Sequence, residues 1–139
     1  VIEQNAFVRC SLNYIRMPRK LKELGGGAFS YSRLKKITVY GKVDLNETFE
    51  YCKKLKIVVL KEGVKELGEY VFFKCPKLRS VTVPKGIKNL GWYIDSIFFH
   101  RGLKCNLSKI TIKTPKNSEM YKERKFLKKR YKIKVKVIK

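Results

Sequence analysis

The stretch Leu67-Gly68-Glu69-Tyr70-Val71-Phe72-Phe73-Lys74-Cys75-Pro76-Lys77-Leu78-Arg79-Ser80-Val81-Thr82-Val83-Pro84 decides the fold. It holds a small-residue turn, an aromatic, a cysteine, a leucine and two apolar residues spaced two apart, and it closes on proline. Its meaning comes from its copies. Ala6-Phe7, Ala28-Phe29 and Thr48-Phe49 repeat the Val71-Phe72 position, with Phe-to-Phe spacings of 22, 20 and 23 residues. Cys10, Cys52 and Cys75 follow three residues after the Phe, and Ser32 takes that slot in the second copy. Leu12, Leu34, Leu55 and Leu78 come next, then the pairs Ile15/Met17, Ile37/Val39, Val58/Leu60 and Val81/Val83. Leu24-Gly25, Leu67-Gly68 and Leu90-Gly91 mark the corner ahead of each Phe.

A short strand with a turn and a return segment cannot bury its apolar side alone. Copies at a fixed period bury it by stacking Phe on Phe, Leu on Leu and Ile on Ile. Residues i and i+2 of each strand then face the core, and the residue between them faces out. This predicts strands at about 14–18, 36–40, 57–61, 80–84 and 109–113 in one parallel sheet, with Val81 and Val83 inward. Glycine permits the corners, and Pro18 and Pro84 close strands where no donor is needed. A fifth unit opens at Leu90-Gly91 and finishes at Leu107, Ile110 and Ile112. Leu78 to Leu107 is 29 residues, so the segment from Trp92 to Lys104 is expected to bulge from the stack.

These slots resemble the BspA-like, or Treponema pallidum type, leucine-rich repeats over roughly residues 2 to 113. That unit reads Ile-Gly, two residues, Ala-Phe, two residues, Cys, two residues, Leu, two residues, Ile, any residue, Ile-Pro. The tail also looks like the family's usual ending: Thr114-Pro115-Lys116-Asn117-Ser118 precedes a short helix with Tyr121, and a last strand follows at Ile133, Val135 and Val137. The resemblance implies a curved ligand-binding or adhesion solenoid, at the cell surface or secreted, with no catalytic residues to transfer; the cytoplasm stays open. Two departures stand out. The first two units are one residue short before the Leu, and the chain is more basic than most such repeats.

The expected fold is therefore an α/β repeat solenoid. It is a leucine-rich-repeat right-handed superhelix with a parallel concave β-sheet, a turn-rich convex side and a C-terminal helix–strand cap. Residues 1–113 make about five repeats of 20–29 residues, and residues 114–139 make the cap of the same single domain. Ile133 follows Ile110 by 23 residues, one repeat, so the last strand should pair beside Ile110–Ile112, with Tyr121, Phe126 and Leu127 over the end of the stack.

Charge is the compositional outlier. Thirty-four Lys and Arg face eleven Asp and Glu, for a net charge of +23. Such a molecule attracts polyanions. Lys outnumbers Arg 26 to 8, and Arg makes the bidentate contacts that read guanine and phosphate, so sequence-specific nucleic-acid reading is disfavoured. The tail from Lys113 to Lys139 holds twelve basic residues against Glu119 and Glu123. No apolar run approaches the ~20 residues that span a bilayer.

Catalytic or metal chemistry finds little support. Asp95, His100 and Cys105 cluster in the irregular fifth unit, but their spacings match no close nucleophile or zinc motif. Gly25-Gly26-Gly27 occupies a repeat corner and follows no strand as a phosphate loop would. Cys10, Cys52 and Cys75 share a core slot as small hydrophobes and are expected to be buried and reduced. No catalytic residue, metal or cofactor is expected.

The expected site is the concave face. Its outward row is Arg16, Thr38, Val59, Thr82 and Thr111. Tyr14, Lys36, Ser80 and Lys109 flank it on one side, and Tyr40, Lys61 and Lys113 on the other. Rings beside ammonium groups suit sugars or an extended acidic peptide, so the expected ligand is an acidic protein or glycan bound by a monomer. The alternative is a basic module that binds polyanions, nucleic acid included, without specificity through its Lys-rich surface and tail.

Overall fold

A computed structural model describes residues 1–88, 94–98 and 107–139. Its strands are β1 (Lys36–Val39), β2 (Asp44–Leu45), β3 (Ile57–Leu60), β4 (Glu66–Leu67), β5 (Ser80–Thr82), β6 (Thr111–Pro115) and β7 (Lys134–Ile138). Five of them form an all-parallel sheet in the order β1-β3-β5-β6-β7, and β2 pairs with β4 in a second, two-stranded sheet. Parallel pairing of successive units is what a repeat solenoid requires, since each strand must return one unit later beside the last. The inward pairs Ile37/Val39, Val58/Leu60 and Val81/Val83 are all buried.

A column of phenylalanines fills the opposite side of the core. Phe7, Phe29, Phe49 and Phe72 stack nearly parallel, with centroids 5.2, 5.9 and 6.0 Å apart and interplanar angles of 3°, 12° and 4°. Phe98 continues the column at 5.8 Å, tilted by 33°. Each stacked pair contributes about 0.5–1.5 kcal/mol beyond its buried area.

The backbone around this column forms a hydrogen-bonded ladder of its own. Phe7, Phe29 and Phe49 donate N–H to the carbonyls of Ala28, Thr48 and Val71 at 2.8, 3.0 and 3.1 Å. The geometry depends on left-handed residues two before and two after each Phe. These are Asn5, Gly27, Glu47 and Tyr70 on one side, and Arg9, Tyr31, Tyr51 and Lys74 on the other. At the following corner, Gly41 has φ +96°, and a Cβ there would collide with the Leu21 carbonyl.

The structure departs from the sequence reading at both ends. No strand forms at 14–18, although Met17 is buried. Arg33 and Lys35 still donate to the carbonyls of Cys10 and Asn13, and the pairing of the first unit stops there. Leu12 is consequently 45 % exposed.

The fifth unit is shifted by two residues. Val81 pairs with Ile112, 31 residues on, whereas Ile37 pairs with Val58, 21 on, and Val58 with Val81, 23 on. A 3-10 turn at Leu107–Lys109 takes up chain, so the inward pair is Ile112 and Thr114 rather than Ile110 and Ile112. Buried Thr114 shares a 2.7 Å hydrogen bond with Ser118, which removes the cost of hiding a hydroxyl. The expected bulge is also interrupted. Tyr70 and Phe72 donate to the carbonyls of Ser96 and Ile97, and Ile97 and Phe98 are buried in the stack.

In the tail, Ser118 caps α1 (Glu119–Lys122) by accepting from the Tyr121 N–H at 3.1 Å. Helix α2 (Arg124–Tyr131) follows, and β7 then pairs with β6, Val135 beside Ile112, at the expected 23-residue interval. Met120, Leu127 and Ile133 supply the buried contacts. Phe126 and Val137 instead face solvent, at 43 % and 51 % exposure. β7 has a neighbour on one side only, so Val137, which lies beside buried Thr114 on the inward side of the register, meets water at the sheet edge.

Candidate binding surface

Strand register aligns two outward rows across the five-stranded sheet. Lys36, Ile57, Ser80, Thr111 and Lys134 are lateral partners in one, and Thr38, Val59, Thr82, Lys113 and Lys136 in the next. The lysines are exposed, while Thr38, Val59, Ser80, Thr82 and Thr111 are half-buried. The centre of the face is thus largely hydroxyl-bearing and apolar, and lysines hold three of its four corners, with Thr38 at the fourth. Tyr40 and Lys61 continue the face just beyond β1 and β3, where Lys61 donates its N–H to the Val39 carbonyl at 3.0 Å. The Arg19 guanidinium lies 5.8 Å from the Tyr40 ring centre.

Three expected positions fall elsewhere. Tyr14 and Arg16 are exposed but on no strand, because the first unit does not pair there. Lys109 ends the 3-10 turn ahead of β6. The two-residue shift also puts Thr111 beside Ser80 and Lys113 beside Thr82, one row from where spacing had set them. Sequence reasoning missed Ile57, Lys134 and Lys136 as face residues. Alternation with buried Val58 marks Ile57, and the 23-residue return of the tail strand marks the two lysines.

The cysteine slot has a bonding role. Cys52 and Cys75 donate their thiols to the Phe29 and Phe49 carbonyls of the preceding units, at 3.1 and 3.0 Å. Burial pushes the Cys52 thiol up to about 11, against the opposing effect of its contact with Ser32. Cys10 has no preceding unit among the described residues and is half-buried rather than buried as expected. Among the described residues Cys10, Cys52 and Cys75 form no disulfide. Of the fifth-unit trio, Asp95 belongs to the 3-10 turn Ile94–Ile97, while His100 and Cys105 lie outside the described residues. No cluster of three or more metal-binding side chains occurs among the described residues.

The β2–β4 side carries the acids. A cleft of about 370 Å³ is bordered by Glu3, Glu23 and Asp44 together with Lys22 and Lys42, and one of about 450 Å³ by Glu47, Glu66 and Glu69. No helix among the described residues is long and apolar enough to cross a membrane.

The BspA type leucine rich repeat region model matches six copies, over residues 1–104 and 46–135. The chain belongs to this family. Neither the curated proteins nor the solved structures yield a match. BspA-type repeats form repeat-based binding scaffolds, often surface-exposed or secreted, and they are typically non-catalytic. The matched span runs into β7, which extends the repeat period through the tail.

Proposed function

We propose that this chain is a non-catalytic adhesion scaffold that takes a protein or glycan ligand across the outward face of its five-stranded sheet. The observation that carries this reading is the pair of rows crossing all five strands, with hydroxyls near the centre and lysines gathered toward β6 and β7 and at Lys36. A repeat solenoid offers one reading position per unit on such a face. In this reading the sheet lines the concave side of a right-handed superhelix and the Phe turns form the convex side. Residues 114–139 cap one domain of about five regular units. The protein works as a monomer at the cell surface or after secretion, with an acidic ligand and no cofactor.

A glycan and protein array at physiological salt tests it. A selective ligand is expected, and the pair Thr82→Glu with Lys113→Glu should weaken it at least about tenfold by placing carboxylates on the two rows. A ligand indifferent to that pair removes the sheet face from consideration.

The tail supports a second reading, nonspecific polyanion binding, because it carries twelve bases against two acids. Binding of that kind falls steeply with salt and shows no preference among polyanions.

A further inference from the structure

We propose that the loops returning from the Phe turns to the sheet form a separate basic edge that holds a linear anionic polysaccharide along the repeat axis. Arg33, Lys54 and Lys77 each precede the buried leucine of their unit, and Lys35, Lys56 and Arg79 each follow it. The second row is stacked directly, since Lys56 donates to the Lys35 carbonyl and Arg79 to the Lys56 carbonyl, both at 2.9 Å. Buried Leu34, Leu55 and Leu78 anchor both rows from behind. The cations therefore recur at the ~4.8 Å separation of stacked strands.

Charge is sorted between the two sides of the stack. The return loops 30–35, 50–56 and 73–79 carry eight basic residues and one acid, Glu50. The described loops leaving the sheet, 18–27, 40–48, 61–71 and 84–88, carry eight basic residues and six acids. Bases thus occur on both sides, and the acids that could neutralise them lie almost entirely on the leaving side. Among the described residues none of the six row cations joins an ion pair. Arg79 spends donors on the Pro76 and Leu78 carbonyls, at 3.0 and 2.7 Å. The neighbouring positive charge of Arg33, then partial desolvation, then the charges of Lys35 and Lys77 lower the Lys54 ammonium from its ordinary value. Like charges that crowd without a counter-ion are relieved by an anion spanning them.

The adjacent rings decide the class of polyanion. Tyr31 and Tyr51 stack on each other at 4.5 Å; Arg9 lies 5.6 Å from the Tyr31 ring and Lys74 lies 5.0 Å from the Tyr51 ring. Phe73 meets Tyr51 edge-on. Their faces are taken, so nucleobases lack the stacking platform that single-strand binders provide. A polymer with charges along its length and no bases to stack fits the edge. This gives the polyanion reading a location other than the tail, and it stands whether or not the sheet face binds anything.

The test titrates the full chain with a heparin octasaccharide across a salt series. Replacing Arg33→Ser, Lys54→Ser and Lys77→Ser uses the residue that Ser11 already supplies in the equivalent slot of the first unit. This triple should weaken binding about tenfold or more and flatten the log K against log salt slope by roughly 2 to 3. An equal charge change on the loops leaving the sheet, at the exposed residues Lys65→Ser, Lys85→Ser and Lys88→Ser, should stay within about twofold. Thermal melts of both triples verify that each is folded. Equal weakening by the two triples would reduce the effect to net charge and overturn the proposal. So would a single-stranded oligonucleotide or a poly-glutamate of matched charge that binds the wild-type chain as tightly as the octasaccharide.

Discussion

Leu12 and Leu34 occupy the same slot of consecutive units, yet Leu12 is 45 % exposed and Leu34 is fully buried. The same contrast runs through the pairs that follow. Ile15 and Met17 form no strand, whereas Ile37 and Val39 lie in β1 with both side chains buried. Phe7 is half-buried at the start of a column in which Phe29 and Phe49 are enclosed. Slot identity alone thus does not fix the conformation of a unit. Neighbour contact, more than local propensity, carries the energy of such a stack.

The far end gives the largest expected effect. Removing residues 116–139 keeps β6 but strips away Met120, Leu127 and Ile133, all buried, and leaves Ile112 without its outer partner. Each buried apolar side chain contributes about 1.5–3 kcal/mol, a sizeable share of a marginal total. The truncated chain is expected to melt far lower or to aggregate, despite losing self-repelling charge. Equal stability by calorimetry would make the tail a mobile basic arm.

Phe49→Ala should cost about 3–5 kcal/mol in urea unfolding, and Phe7→Ala at most about half of that. Similar losses would show that the first unit is as well supported as the third.

Thiol chemistry sharpens the contrast at smaller scale. With its thiol at about 11 against 9.0 for a free one, Cys52 should alkylate roughly 100-fold more slowly at pH 8 in the folded chain than in the denatured chain. The sign for stability follows from the raised value: the protonated thiol favours folding below about pH 9, and that gain is lost as pH rises toward 11. Alkylation of folded and denatured chains at equal rates would mean that the third unit opens readily.

The smallest effect concerns backbone. Glu47 holds φ 50°, in the slot that Asn5 and Gly27 fill in the first two units. Glu47→Asn should stabilise by about 0.5–1 kcal/mol, since Asn enters the left-handed region at lower cost. A destabilised variant would mean that the Glu47 side chain makes a contact the corner needs.

The middle of the molecule was legible because period and register coincide there: Ile37, Val58 and Val81 are one slot in sequence and one row in space. The fifth unit was misread because Ile110 and Ile112 look like the inward pair. The pair formed by Ile112 and Thr114 is disguised by a hydroxyl that only the Ser118 contact makes tolerable. Tyr14 and Arg16 fall off the face because the slot pattern of the first unit reads as a strand over 14–18, where none forms. The left-handed slots escaped notice because Glu47, Tyr70, Arg9, Tyr31, Tyr51 and Lys74 advertise nothing about φ. The basic edge was countable in the sequence, but its isolation from the acids appeared only with both sides of the stack in view.

The paired ladders, one in the sheet and one along the Phe turns, have a mechanical consequence. A 23-residue unit occupies ~4.8 Å of the stack but spans roughly 75–80 Å when drawn out. No unit leaves until both ladders give way together. Tension applied between the chain's ends should therefore lengthen it in discrete jumps of roughly 70 Å, each releasing one unit while the rest stay wound.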